Sequence, residues 1–178
     1  MIEQQISSHT ADTIPQLRSL YHSAFPAEEQ VPWKDLVRLI DEMPLDFTAY
    51  YDDADGFIGF TIVYPYKEYN WFWYFAVSEN LRGQGYGQKI LSRLIARHSN
   101  RTIILDMESP SQPSDNIEQR RRRLAFYSRN GFHDTHAHRT FDGIEYTIMM
   151  LGRGNFTTHD YDAIISNLQR FWQPPQED

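Results

Sequence analysis

The 178-residue chain carries 17 lysines and arginines against 24 aspartates and glutamates, a formal net charge of -7, which argues against nucleic acid as the main partner because phosphate affinity accumulates from Lys and Arg. Cysteine is absent, so disulfides, thiolate metal sites and an acyl-cysteine intermediate are excluded. The first residues lack a basic leader with an apolar core, and no apolar run reaches bilayer length, so the expectation is one soluble, cytoplasmic domain with no membrane partner.

Taken in order, residues 1 to 8 suit an edge strand. Ile14, Leu17, Leu20, Tyr21 and Phe25 recur at helical spacing from about Asp12, with Asp12 or Thr13 as cap and Pro15 in the first turn. Residues 26 to 32 form a short acidic connector containing Glu28 and Glu29, which read as solvated loop acids. Trp33, Leu36, Val37, Ile40 and Met43 predict a second helix that Pro44 stops. Phe47 to Asp52 and Gly56 to Tyr66 predict two antiparallel strands about an Asp- and Gly-rich turn. An aromatic strand follows from about Asn70 to Val77.

A glycine turn succeeds that strand, and the apolar face of a central helix begins at Tyr86 and continues through Ile90, Leu91, Leu94 and Ile95. Thr102 to Met107 is a buried strand by composition. A helix from near Asp115 ends at Asn130-Gly131, and Phe132 to Phe141 pairs with Ile144 to Leu151 about Asp142-Gly143. Thr157 to Asp160 resembles a capping box for a last helix bearing Tyr161, Ile164, Ile165, Leu168 and Trp172. The order predicts an α/β fold, a mixed and mostly antiparallel sheet flanked by helices. Residues 1–151 form the domain, 152–172 a helical extension packed on it, and 173–178 a disordered tail.

The chemistry concentrates where strand, glycine turn and helix meet. Gly83, Gly85 and Gly87 alternate just before the helix, so backbone amides and the positive end of the helix dipole converge as an anion cradle. The spacing is not that of a dinucleotide fingerprint, and no Gly-Lys-Ser/Thr closes the loop as a nucleoside triphosphate requires.

Arg82-Gly83-Gln84-Gly85-Tyr86-Gly87 resembles the signature of the GNAT superfamily of N-acetyltransferases, which is Arg or Gln, two residues, Gly, one residue, Gly or Ala. Phe75-Ala76-Val77 looks like that family's fourth strand. Phe126-Tyr127 followed by Gly131-Phe132 is similar to its second signature. The resemblance implies acetyl-coenzyme A as co-substrate, with no metal, and a GNAT-like sheet with an added C-terminal helix. It places Phe75, Ala76 and Val77 beside the pantetheine arm, and Arg82, Gly83, Gln84, Gly85, Tyr86, Gly87 and Gln88 around the pyrophosphate. It also puts Tyr127 beside the thioester sulfur, where a phenol donates to the departing thiolate.

Glu108 falls at the C-terminal end of the predicted fifth strand and is the candidate base, with Asp106 on the same strand face as a partner for a cationic acceptor. Phe25, Trp33 and Trp73 are core aromatics that could line the acceptor pocket, and the resemblance gives the connector with Glu28 and Glu29 a part in shaping that pocket as the alternative to solvated loop acids. His136 and His138 would share a strand face, but no third ligand is signalled and no metal is expected. Arg120-Arg121-Arg122-Arg123 wraps a helix, with one or two arginines expected near coenzyme phosphates. The expected activity is acetyl transfer to a primary amine of a small molecule in a ternary complex. The alternatives are a protein or peptide amine as acceptor, a non-catalytic acyl-coenzyme A sensor, and a nucleotide-binding regulator. A homodimer is among the assemblies the sequence admits.

Overall fold

A computed structural model describes residues 1–54 and 56–172, with the Trp172 side chain excepted. The expected tail, 173–178, lies outside the described residues, as does Asp55 in the turn after Asp52. The strands are β1 (Ile2–Gln5), β2 (Asp46–Tyr51), β3 (Phe57–Tyr66), β4 (Tyr69–Val77), β5 (Thr102–Glu108), β6 (His133–Phe141) and β7 (Ile144–Leu151). The helices are α1 (Ser8–Ala11), α2 (Pro15–Ala24), α3 (Trp33–Glu42), α4 (Tyr86–His98), α5 (Ile117–Arg129) and α6 (Thr158–Trp172). They make the mixed α/β domain that the order of elements predicts, around one seven-stranded sheet ordered β1-β2-β3-β4-β5-β7-β6.

Every neighbouring pair is antiparallel except β4 and β5. Those two pair only where Tyr69–Trp71 face Thr102–Ile104, and beyond that point they part. The cause lies in β4. Ile62 faces Tyr74 while Val63 faces Phe72, so Trp73 is an extra, bulged residue, and a bulge bends its strand and increases its twist. The bulge also breaks the alternation that a regular strand would impose. Trp73 and Tyr74 both pack with the cluster that holds Trp71, and the three rings stack in succession, Trp71 on Trp73 at 5.4 Å and Trp73 on Tyr74 at 5.0 Å.

Two cores divide the helices between the sheet faces. Leu17, Leu36, Tyr161, Ile164 and Leu168 bring α2, α3 and α6 onto one face. Ile90, Leu91 and Leu94 of α4 join Leu124 and Phe126 of α5 on the other. The last helix is capped as its sequence predicts: Thr157 donates to the Asp160 carboxylate through N–H and O–H, and its own Oγ1 accepts the Asp160 N–H at 3.3 Å.

Two local expectations are corrected. A short helix, α1, stands at Ser8–Ala11 where the sequence predicts none, and the helix predicted from about Asp12 begins only at Pro15 as α2, because proline lacks the N–H of a continuing helix and suits a first turn. Asp12 does not cap it; its Oδ1 accepts the Trp33 indole N–H at 2.7 Å. His136 and His138 do not share a regular strand face, since β6 is irregular between Asp134 and His138 and His136 has φ 61°.

Candidate active site

Where β4 and β5 part, a cavity of about 560 Å³ opens, bounded by β4, β5 and β7, by α5 and α6, and by the 3₁₀ turn Ala27–Glu29 before α3. That turn is fastened from below. Tyr74 donates its hydroxyl to the Glu29 carbonyl at 2.6 Å, Tyr21 donates to the Val31 carbonyl at 3.0 Å, and the Gln30 amide donates to the Phe25 carbonyl at 2.7 Å. Thus fixed, the Glu29 side chain lines the cavity and accepts the Tyr146 hydroxyl at 2.5 Å. Burial raises the Glu29 carboxyl above the ordinary range; the Tyr146 hydrogen bond opposes this, and the charges of Asp106 and Glu108 add to it. Glu29 is therefore a cavity residue and not the solvated loop acid its neighbours suggest. Glu28 lines the cavity as well, though exposed, and no local sequence signal separates the two.

Asp106 and Glu108 both line the cavity, but their carboxylates are occupied differently. Among the described residues, the donors to Asp106 are neutral, the Trp71 indole at 2.8 Å and the Tyr161 hydroxyl at 3.0 Å. Glu108 is 6% exposed, with one oxygen on Arg120 at 2.9 Å and the other in an ion pair with Arg123. Arg120, itself buried, also donates to the Ser109 carbonyl at 3.2 Å. The expectation that arginines of this run serve coenzyme phosphates is corrected for these two, whose i, i+3 spacing turns both toward Glu108. Arg121 pairs with Glu118 at the surface.

Tyr127 comes from α5 and lines the same cavity. Burial pushes its phenol up to about 12, with the Arg123 charge opposing and the Asp106 charge assisting. Among the described residues none hydrogen-bonds its hydroxyl. Phe25 and Trp73 also line the cavity, whereas Trp33 stays in the core beside Asp12.

The glycine turn lies at the α4 end of β4. Gly85, at φ 84°, precedes the helix in a left-handed conformation that a side chain would strain. The first helical bond in this turn runs from the Lys89 N–H to the Gly85 carbonyl, so the amides of Gly85, Tyr86, Gly87 and Gln88 precede it and are free for an anion. No atom lies within 4 Å of where a Cβ would stand on Gly83 or Gly85, so the space above the turn is open. Arg82 braces it by donating to the Val77 carbonyl at 3.2 Å, and the Gln88 side chain exchanges hydrogen bonds with Asn130. Phe75, Ala76 and Val77 lie on the stretch of β4 that has left β5. These features fit a coenzyme with a pyrophosphate and an extended arm. No group of side chains suited to a metal ion occurs among the described residues.

A split β4/β5 pair, an open amide turn at the head of the following helix, and a tyrosine at the split make up the candidate site. Residues 45–134 match the family model described as the acetyltransferase (GNAT) domain, and the chain belongs to the GNAT family of acetyltransferases. A protein from Bacteroides thetaiotaomicron placed in the GNAT family is 26% identical, with a TM-score of 0.73 over 95% of this chain and 96% of that one. An aminoglycoside 6'-N-acetyltransferase complexed with coenzyme A shares the fold at 17% identity, TM-score 0.66, over 87% and 100% of the two chains. A spermidine/spermine N-acetyltransferase from Vibrio cholerae shares it at 12% identity, TM-score 0.60, over 84% and 91%. No curated protein sequence matches significantly.

Proposed function

We propose that the protein transfers acetyl from acetyl-coenzyme A to a primary amine of a small molecule by direct attack in a ternary complex. The observation that carries this reading is the convergence, in one cavity at the strand split, of a raised carboxyl on Glu29 and an unpartnered phenol on Tyr127. The amides from Gly85 to Gln88 would hold the pyrophosphate, with Gly83, Gln84 and Arg82 shaping the turn. The free edge of β4 at Phe75, Ala76 and Val77 would lie along the pantetheine arm. The coenzyme supplies a thioester, an acyl carbon activated by its thiolate leaving group.

Glu29 replaces Glu108 as the base in this reading. Both Glu108 oxygens are taken up by guanidinium groups, so Glu108 serves as the anchor of Arg120 and Arg123. An ammonium acceptor attracted by Glu29 and Asp106 gives one proton to Glu29, and its nitrogen then attacks the acyl carbon. The C–N bond forms and the C–S bond breaks; sulfur gains a proton from Tyr127, and the second proton shed by the nitrogen restores the phenol, so the net proton stays on Glu29. A phenol at about 12 donates uphill to a thiol of ordinary pKa about 8.5, so the proton moves late, as negative charge builds on sulfur.

The names of the aminoglycoside and spermidine enzymes support a small amine over a protein amine. The aromatic cavity also suits a compact acceptor. Calorimetric titration with acetyl-coenzyme A, followed by thiol release across an amine panel, tests the reading. Saturable binding with amine-dependent release is expected. Binding without release to any amine would favour an acyl-coenzyme A sensor, and absence of binding would end both.

A further inference from the structure

Among the described residues, Arg139 is the one cationic side chain lining the cavity that the transfer reading does not use. It lies on β6 opposite Tyr146, which lies opposite Glu108 on β5, so a row of side chains runs across the sheet into the site. Its guanidinium donates to the Tyr161 hydroxyl at 2.7 Å and stands 4.8 Å from the Tyr161 ring centroid, 5.4 Å from that of Phe141 and 5.8 Å from that of Tyr146. Among the described residues no carboxylate comes within 4.0 Å of it. Asp106 reaches it only through Tyr161, which donates onward at 3.0 Å. Arg120 and Arg123, in contrast, are both committed to Glu108.

A guanidinium set among three aromatic rings, with one side-chain hydrogen bond and, among the described residues, no carboxylate in direct contact, suits bidentate pairing with a planar anion. Tyr146 stands between the two charges, its ring beside Arg139 and its hydroxyl on Glu29, so the cation and the proton acceptor flank one side chain in the same cavity. A molecule that carries both an amine and a carboxylate can meet the two together.

The anion is not a phosphate of the coenzyme. The glycine turn opens α4, which packs on the sheet face shared with α5, whereas the Tyr161 that grips Arg139 belongs to the opposite face with α6. We infer that Arg139 binds the carboxylate of the acceptor, and that the acceptor is an amino acid or a short peptide-like acid whose amine is acetylated. This rests on the transfer reading and sharpens it. A polyamine would leave the guanidinium unpaired in a partly desolvated site, which is costly.

The test uses the full chain with L-phenylalanine, glycyl-L-phenylalanine, L-leucine, the matching amides, phenethylamine and spermidine, monitored by thiol release, together with Arg139→Gln and Arg139→Lys. For the unaltered protein, at least one acid should exceed its own amide in kcat/KM by about 10- to 100-fold, the worth of a charge-assisted pair. Arg139→Gln should remove that ratio through KM while leaving coenzyme A affinity unchanged, and Arg139→Lys should restore part of it. Equal use of acids and amides, preference for spermidine, or an Arg139→Gln loss shared by all acceptors would overturn the inference while transfer itself stands. Failure to acetylate any acid also overturns it, even if the variants are too unstable to assay. Failure of the unaltered protein to bind acetyl-coenzyme A instead removes the underlying transfer reading.

Discussion

At the scale of single residues, Tyr127 and Glu29, which the proposed reaction uses for its proton transfers, differ in how far sequence could reveal them. Tyr127 sits inside a motif, and its neighbours Phe126, Gly131 and Phe132 point to it. Glu29 has no such frame, because its partner Tyr146 is 117 residues away and its backbone is caught by Tyr74, 45 residues away. Tyr127→Phe is expected to lower kcat by about 10²- to 10⁴-fold, the usual worth of a general acid, with calorimetric coenzyme A affinity retained. Unchanged kcat would remove the phenol from the reaction. For Glu29 the sign matters. Its carboxyl is raised in the fold, so the native state favours the protonated form; the stability this gives is present below the ordinary carboxylate value and lost as pH rises through the raised one. Glu29→Gln should therefore melt higher than the parent at neutral pH, with the gap closing near pH 4, about the ordinary value. The same change should abolish the rise of kcat/KM with pH that ionisation of Glu29 produces. A melting gap independent of pH would reject that account.

At the scale of elements, the site is made by an irregularity that periodicity cannot display. The run Trp71-Phe72-Trp73-Tyr74 reads as an ordinary strand, yet the bulge at Trp73 turns Tyr74 to the same side as Trp71 and lets β4 leave β5. The hairpin about Asp142-Gly143, by contrast, was fully legible: both residues have positive φ, 49° and 77°, as a two-residue hairpin turn with these residues requires. The last helix was legible as a helix, but its part in the cavity was not, since Tyr161 and Leu168 reach the site only through tertiary packing. Gly59 shows how closely β3 follows β4. A Cβ there would stand 2.2 Å from the Ala76 carbonyl oxygen, and backbone cannot yield as a flexible side chain can. Gly59→Ala should cost on the order of 3 kcal/mol by overpacking, seen as a lower urea midpoint, and should weaken coenzyme A binding by displacing Ala76 and Val77. Stability equal to the parent would mean that β4 shifts freely, contrary to its place between β3 and the site.

Across the whole molecule, the order of elements was readable because local signals such as turn chemistry, capping and hydrophobic period survive in a single sequence, while long-range polar ties do not. The clamp between the first strand and the central helix is such a tie. Arg93 bonds Glu3 at 2.9 Å across 90 residues, Arg97 pairs with the same carboxylate, and Arg97 and His98 meet Asp46 at 3.3 and 2.8 Å. Thr48 adds a bond to Asp46 at 2.7 Å, so β1, β2 and α4 are joined through two carboxylates. Burial pushes the Asp46 carboxyl up, but the hydrogen bonds from His98 and Thr48 outweigh it and hold the group below its ordinary value. A carboxyl lowered in the fold contributes stability that is complete above its unfolded value, about 3.9, and is lost as pH falls through the lower folded one. Asp46→Asn should accordingly lower the urea midpoint at neutral pH, and the difference from the parent should shrink on acidification below about pH 4. Added salt should narrow the neutral-pH gap partially, because the pair is only partly exposed and so incompletely screened. If the gap were the same at both ends of the pH range, the Asp46 charge would have no part in the clamp, and its ionic share would rest on Glu3 with Arg93 and Arg97.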